Sequence, residues 1–397
     1  MLKCACPVRV GSLLDFRIDH ICILQEIKVM SYPQLEINLR KLEHNARIEV
    51  NKLAEYGVTV MGVNKVFNGL SETASAVIRA GMDVVAESRV YNLKKLHHLS
   101  CQKCLLRTPS PSEIEEVVKY ADISLNSDID VLKKLSREAV KQNRSHQVLL
   151  MIDMGDIREG IWFENREYLE EAVRQIFDLP NLEMYGLGTN FTCYGSVRPT
   201  LENGRLFVQI ARELEAKFGM KFKYLSGGNC TSYHLIETGT WPEGINHLRI
   251  GALHQFGIEY VDVRYVDGFH HSSMDVNRVV SNLYILKAEI IEVNRKQTVP
   301  LGELGLDTFM ESKTFVDRGE RKRALLALGY QDVPSQNMWS VDSDIEILGQ
   351  TFDHTIIDIE DSDRDYRVGE YIAFEVDYTG LLSACTSESV NIVFVTD

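Results

Sequence analysis

Between residues 58 and 250 the chain keeps one rhythm: a short apolar run, a polar turn, then apolar residues at helical spacing. The runs at 58–63, 83–86, 104–107, 123–125, 147–152, 183–189, 222–225 and 247–250 read as strands, the first of them buried on both faces. Helical spacing marks 71–80, 89–98, 110–119, 128–142, 166–177 and 201–218, and 231–237 leaves room only for a short helix. Eight strand–helix units over roughly 200 residues predict a (β/α)8 TIM-like barrel, because a doubly wound sheet usually stops at about five or six strands. Ahead of them, 34–38 alternates as a strand does, and 39–56 has helical spacing with Gly57 as its stop.

Past Val263 the rhythm fails. The stretch 263–275 is polar and rich in histidine, and it reads as a linker. His270 and His271 are adjacent, so both would not face one metal, and we read them as solvated. Beyond lie strand patterns at 279–293, 323–328, 345–347, 355–359, 371–376 and 391–395, with turn chemistry at 361–371. This predicts a mainly antiparallel β domain over 266–397, after a barrel over 30–265, and strand 34–38 is free to pack with it. Residues 1–29 have no sustained periodicity and no signal-peptide core. We expect them to be a non-native or disordered extension, with translation starting at Met30. A purine-rich codon pair for Gln25-Glu26 would resemble a ribosome-binding site.

Composition narrows the function classes. The chain has 397 residues, a formal net charge of -14 and a pI of about 5.3, which argues against nucleic-acid and anionic-membrane surfaces. Eight cysteines spread over this length read as reduced, cytoplasmic thiols. Cys101 and Cys104 have CxxC spacing without a second pair, so we expect no metal there. No apolar run has the length of a membrane span.

In a barrel the chemistry belongs at the carboxyl ends of the strands. The first run ends at Asn64-Lys65, where a lysine leaves the sheet toward the ligand end and is a candidate amine nucleophile. The fifth ends in Asp153-Met154-Gly155-Asp156-Ile157-Arg158-Glu159-Gly160, and the sixth in Thr189-Asn190-Phe191. The seventh ends in Ser226-Gly227-Gly228-Asn229-Cys230-Thr231-Ser232, and the eighth in Arg249-Ile250-Gly251-Ala252. Small residues and hydroxyls in these last two loops are where a barrel cradles phosphate with backbone N–H groups.

With these motifs the chain resembles the alanine racemase superfamily, the fold-type III pyridoxal-phosphate enzymes, and most of all its ornithine racemase branch. The resemblance runs over nearly all of 31–397. It implies pyridoxal 5'-phosphate as cofactor and Lys65 as the Schiff-base lysine. It implies Arg158 near the cofactor's phenolic oxygen and the substrate carboxylate, from an Asp-x-Gly-x-x-Arg-x-Gly motif met by Asp153, Gly155, Arg158 and Gly160. Asn229, Cys230 and Thr231 fall in the phosphate loop, Gly251 and Ala252 at the backbone phosphate donors, and Arg249 opposite the pyridine nitrogen. Gly329-Tyr330-Gln331-Asp332 matches the motif of the second catalytic base, which makes Tyr330 that base, delivered in trans by a homodimer. Phe352 and Asp353 match the pair that helps hold the substrate carboxylate. Three positions depart from the pattern. Asn190 replaces the histidine that stacks on the pyridine ring. Val66-Phe67-Asn68-Gly69 follows the lysine in place of Ala-Tyr-Gly. Ser387-Glu388-Ser389 stands where a phosphate-binding tyrosine is expected.

The implied chemistry is two-base inversion at Cα, with Lys65 on one face and Tyr330 on the other. A guanidinium stays charged and cannot usefully protonate the pyridine nitrogen, so Arg249 favours racemisation over the decarboxylases, which resemble the family but carry a carboxylate there. We expect ornithine or another basic amino acid as substrate, with alanine or serine as further options. A distal ammonium needs an acidic subsite, and Asp156, Glu159 and Asp332 are the candidates by position. The alternatives are a non-catalytic cofactor-binding protein, which would lack the β domain, and a decarboxylase or aldolase.

Overall fold

The computed structural model describes residues 31–272 and 278–396. The extension 1–29, the start at Met30 and the end of the expected linker lie outside the described residues. Strand β1 (Gln34–Asn38) leads into helix α1 (Leu39–Ala54), whose first turn is capped by the Asn38 side chain accepting from Lys41 N–H. Eight strands then close into a parallel barrel. They are β2 (Thr59–Val63), β3 (Val84–Glu87), β4 (Gln102–Leu105), β5 (Ile123–Asn126), β6 (His146–Asp153), β7 (Leu182–Gly188), β8 (Tyr224–Ser226) and β9 (His247–Ile250). β9 pairs back to β2, with Arg249 opposite Met61. All eight lie on the expected apolar runs.

Helices α2 (Ser71–Arg79), α3 (Val90–Lys95), α4 (Ile114–Tyr120), α5 (Ile129–Lys141), α6 (Arg166–Asp178) and α7 (Leu201–Phe218) return the chain between strands. Two short helices, α8 (Tyr233–Glu237) and α9 (Ala252–Phe256), follow β8 and β9. Met61, Val84, Cys104, Ile123, Leu149 and Met151 fill the barrel interior, so it is a packed core and not a pore.

The second sheet runs β12 (Met338–Ser340), β15 (Tyr371–Val376), β10 (Tyr284–Gln297), β11 (Glu320–Leu326), β14 (Thr355–Asp358) and β13 (Glu346–Gln350). These neighbours are all antiparallel. β1 joins the same sheet, antiparallel to β10 and parallel to β16 (Asn391–Val395). Thus the chain's first described strand belongs to its last sheet. The apolar core under this sheet is continuous with the barrel: Val66 and Phe67 are buried in one cluster with Phe256, Tyr284, Leu286 and Phe374.

Two expectations change. The segment from Val263 is not a free linker. Arg264–Tyr265 pairs with Ile258–Glu259, His271 stacks on Tyr265 at 4.0 Å, and the His270 backbone exchanges hydrogen bonds with the Asn45 side chain. Asn45 therefore sits buried on α1 as a tether, which a pattern of polar residues cannot reveal. The β domain also carries a helix, α10 (Tyr378–Thr386), capped by Asp377 accepting from Gly380 N–H.

Candidate active site

Lys65 opens a single 3-10 turn (Lys65–Phe67) just past β2. Its neighbours fix it from behind. Val66 and Phe67 are buried in the core shared with the β domain, and Asn64 is tied into a buried polar network. Asn64 Nδ2 donates to Glu87 Oε1 at 3.0 Å, Asn92 Nδ2 donates to Glu87 Oε2 at 3.2 Å, and Thr73 donates to Asn64 Oδ1 at 2.8 Å. Burial pushes the Glu87 carboxyl up to about 7. Asn68 ends the turn with φ 50° and donates to Cys385 O on α10 at 3.0 Å. The Lys65 side chain has no hydrogen bond or ion pair among the described residues. Its ammonium stands 5.9 Å over the Tyr378 ring.

The other barrel groups are held as firmly. Arg249 on β9 is 3% exposed. It donates to Thr189 O and Asn190 Oδ1, both at 2.7 Å, and to Ser226 Oγ. That leaves the Ser226 hydroxyl proton for His247 Nδ1, 2.8 Å away. Burial, helped by the Arg249 charge, pushes His247 down to about 3, so it is neutral. Burial lowers Arg249 to about 10, so it keeps its charge at neutral pH. Asn190 Nδ2 is buried at this point without a partner among the described residues.

The loop after β6 shows why its motif has that spacing. Asp153 accepts from Gly155 N–H at 2.9 Å, Ile157 N–H at 3.2 Å and Arg158 N–H at 3.1 Å, so it folds the loop over itself. At Gly160 (φ 141°) a Cβ would stand 2.4 Å from Asp153 N. In the loop after β8, Gly228 has φ 118° and a Cβ there would meet Ser232 Oγ at 2.7 Å. Asn229 Oδ1 accepts from Thr231 N–H at 3.0 Å and from Thr231 Oγ1 at 2.7 Å.

Lys65, Arg158, Asn190, Asn229, Cys230, Arg249, Gly251 and Ala252 line one cavity at the barrel mouth. Thr231 does not: its hydroxyl is turned to Asn229, as that of Ser232 is to Gly227 O. Tyr330, Phe352 and Asp353 do not line it either. They lie on the β domain, where Tyr330 is 41% and Phe352 48% exposed, and Phe309 packs 5.0 Å and 4.9 Å from their rings.

Two of the three carboxylates expected to await a distal ammonium are committed elsewhere. Asp156 accepts from the N–H groups of Cys193, Tyr194 and Val197 and fixes the loop after β7. Asp332 accepts from Gly329 N–H and Ser387 Oγ. Glu159 alone of the three lines the cavity.

The sequence reading missed one wall. Tyr378 lines the cavity across from Lys65, and burial holds its phenol well above the usual range, so it stays protonated. The pattern expects a tyrosine at 387–389, whereas the tyrosine at the site comes right after β15. The signal was there: Asp377 is a helix cap, and it puts Tyr378 on the turn that enters α10.

Residues 37–256 match the model of the alanine racemase N-terminal domain. An ornithine racemase from Acetoanaerobium sticklandii is 39% identical over 90% of this chain and 98% of its own. A lysine racemase from Thermotoga maritima is 38% identical over 92% of this chain and 99% of its own. Among solved structures, an alanine racemase from Clostridium difficile superposes with a TM-score of 0.71 at 18% identity, covering 93% of this chain and 97% of that one, which shows the shared fold. The family uses pyridoxal phosphate. The family model and two relatives above 30% identity that match almost from end to end show that the chain belongs to the alanine racemase family and is an amino-acid racemase.

Proposed function

We propose that the protein interconverts the enantiomers of a basic amino acid, ornithine or lysine, using pyridoxal phosphate at Lys65 and Tyr330 from a second copy of the chain. The two full-length relatives named for ornithine and lysine support the substrate class. The observation that carries the site assignment is an amine without a carboxylate partner, Lys65, set in the same cavity as the buried Arg249.

The donor set fits the cofactor. Asn190 Nδ2 is an orphaned buried donor on the cavity wall, and such a group calls for an acceptor. The 3-10 turn beginning at Cys230 and helix α9 beginning at Ala252 start with N–H groups that have no partner within their own helices, and these suit a phosphate. Tyr378 closes that side of the cavity.

Pyridoxal phosphate, when bound, supplies the electron sink that makes an α-proton acidic. Lys65 would hold it covalently, and the Lys65 amine moves a proton on one face of Cα. Arg158 takes the substrate carboxylate, with Phe352 and Asp353 of the second copy completing that subsite. The Tyr330 phenol moves a proton on the opposite face, and one base on each face is what inversion requires. Arg249 keeps its own protons through the cycle, which limits the sink and favours return of the proton over loss of CO2. In a single chain Tyr330 is exposed and outside the cavity wall, and this supports delivery by a partner.

The test is incubation of purified, cofactor-loaded protein with the L forms of ornithine, lysine, arginine, alanine and serine, followed by chiral chromatography. D-ornithine or D-lysine should form fastest. Borohydride reduction should fix the cofactor's mass on the peptide containing Lys65. Cofactor trapped there with no enantiomer interconverted would support the carrier reading, and no trapping would remove the site assignment.

A further inference from the structure

Glu159 ends the loop after β6 and lines the cavity. Its Oε1 accepts from Thr108 N–H at 2.6 Å and from Thr108 Oγ1 at 3.3 Å. Its Oε2 is buried and has no hydrogen-bond partner among the described residues. A carboxylate oxygen left unpaired out of water is costly, so a cation must answer it. Arg158 is within reach: its Nη2 lies 3.8 Å from Glu159 Oε2. The Arg158 side chain is 40% exposed, and its only side-chain hydrogen bond among the described residues is the weak one from Nη1 to Cys193 Sγ at 3.4 Å.

One partner is therefore braced and the other is free. The Thr108 bonds, made from the β4 side of the barrel, pin the carboxylate. The guanidinium needs to shift by less than an ångström to reach hydrogen-bond distance from 3.8 Å. Pinned along one edge, a planar guanidinium presents its remaining donors along the other, in the fork geometry that suits a carboxylate.

We propose that Glu159, braced by Thr108, is a positioning residue that orients Arg158 to receive the α-carboxylate of the substrate. This rests on the racemase reading of the site. Glu159 is also the one remaining candidate for a distal ammonium. The burial of Oε2 and the neighbouring guanidinium speak against that role, because an ammonium would have to displace Arg158.

The two roles separate on substrate chemistry. The α-carboxylate is common to all amino acids, and the distal ammonium is not. Glu159→Gln keeps an acceptor for Thr108 and removes the charge. It should raise the KM for L-ornithine and the inhibition constant of L-norvaline, which has the same carbon chain without the amine, by a similar factor on the order of tenfold, with kcat little changed. Glu159→Asp, which keeps the charge on a shorter stem, should recover part of the loss. A loss confined to ornithine, or no loss at all, overturns the proposal. A second readout needs no turnover. In cofactor-free protein, mapped by mass spectrometry, phenylglyoxal should modify Arg158 several-fold faster in Glu159→Gln than in wild type, since the carboxylate beside it keeps the guanidinium occupied. Equal rates overturn the proposal. An inactive wild type would instead remove the racemase reading, and the phenylglyoxal comparison would still decide the role of Glu159.

Discussion

The barrel mouth and the Tyr330 face of the β domain are built on opposite terms. At the mouth the framework groups are partnered inside the chain: Arg249 holds three acceptors, Asp153 three backbone N–H groups, and Glu87 two amides, while the Lys65 amine and Asn190 Nδ2 are left open toward the cavity. On the β domain Tyr330 and Phe352 lie two-fifths to one-half exposed, and their contacts are aromatic, with Phe309 and each other. The first surface is braced by folding. The second keeps large apolar rings in water, which makes sense for a surface that another molecule covers. On the proposed reading, such a split would put rigidity where the cofactor is held and leave the second base to assembly.

Substitutions can break that contrast, and the largest effect belongs at the mouth. Lys65→Ala should lower racemisation by at least about a thousandfold and abolish the cofactor's visible absorbance, measured by chiral chromatography and spectrophotometry. Tyr330→Phe should also cost about a thousandfold in turnover yet keep the absorbance and the melting temperature. Mixing the two inactive proteins after partial denaturation and refolding is the sharper measurement. If Tyr330 acts across subunits, an equimolar mixture should regain about a quarter of wild-type turnover, because half the dimers are mixed and each has one intact site. If Tyr330 served its own chain, the mixture would stay inactive.

Arg249→Met should behave unlike Tyr330→Phe. It strands Thr189 O, Asn190 Oδ1 and Ser226 Oγ in a buried site, so it should lower the unfolding free energy by about 3 kcal/mol in urea titration. A Tyr330 variant as destabilised as this would erase the contrast.

The smallest effect is on pH dependence. The folded chain holds the Glu87 proton up to about pH 7, and the ordinary carboxyl value is 4.5. Between those values the folded state binds more protons than the unfolded one. The stabilisation from this group is therefore complete below about pH 4.5 and falls by about 1 kcal/mol per pH unit as pH rises toward about 7. Glu87→Gln should flatten that part of a stability-versus-pH curve obtained from urea midpoints.

Particular elements show how far the pattern of residues could be read. The eight barrel strands were legible because a strand buried on both faces must be apolar along its length. The Asp153–Gly160 motif was legible because its spacing is dictated by local hydrogen bonds and by one glycine pressed against Asp153. Thr231 looked like a free hydroxyl donor, but the partner that takes it, Asn229, is only two residues away. Asp156 looked like a substrate carboxylate, and its partners lie 37 to 41 residues further along. Tyr378 became a cavity wall only because α10 packs on the turn that holds Lys65.

The sequence by itself determined the alternation that makes the barrel, the order of the two domains and the strand ends where lysine, arginine and glycine recur. Those features come from short-range periodicity and from backbone sterics, which neighbours in the chain set. Tertiary structure alone decided that β1 completes the last sheet, which carboxylates are already spent, that Glu159 faces Arg158, and that Tyr330 stays outside its own chain's cavity. Each of these depends on which distant groups meet, and burial and hydrogen-bond satisfaction are properties of that meeting.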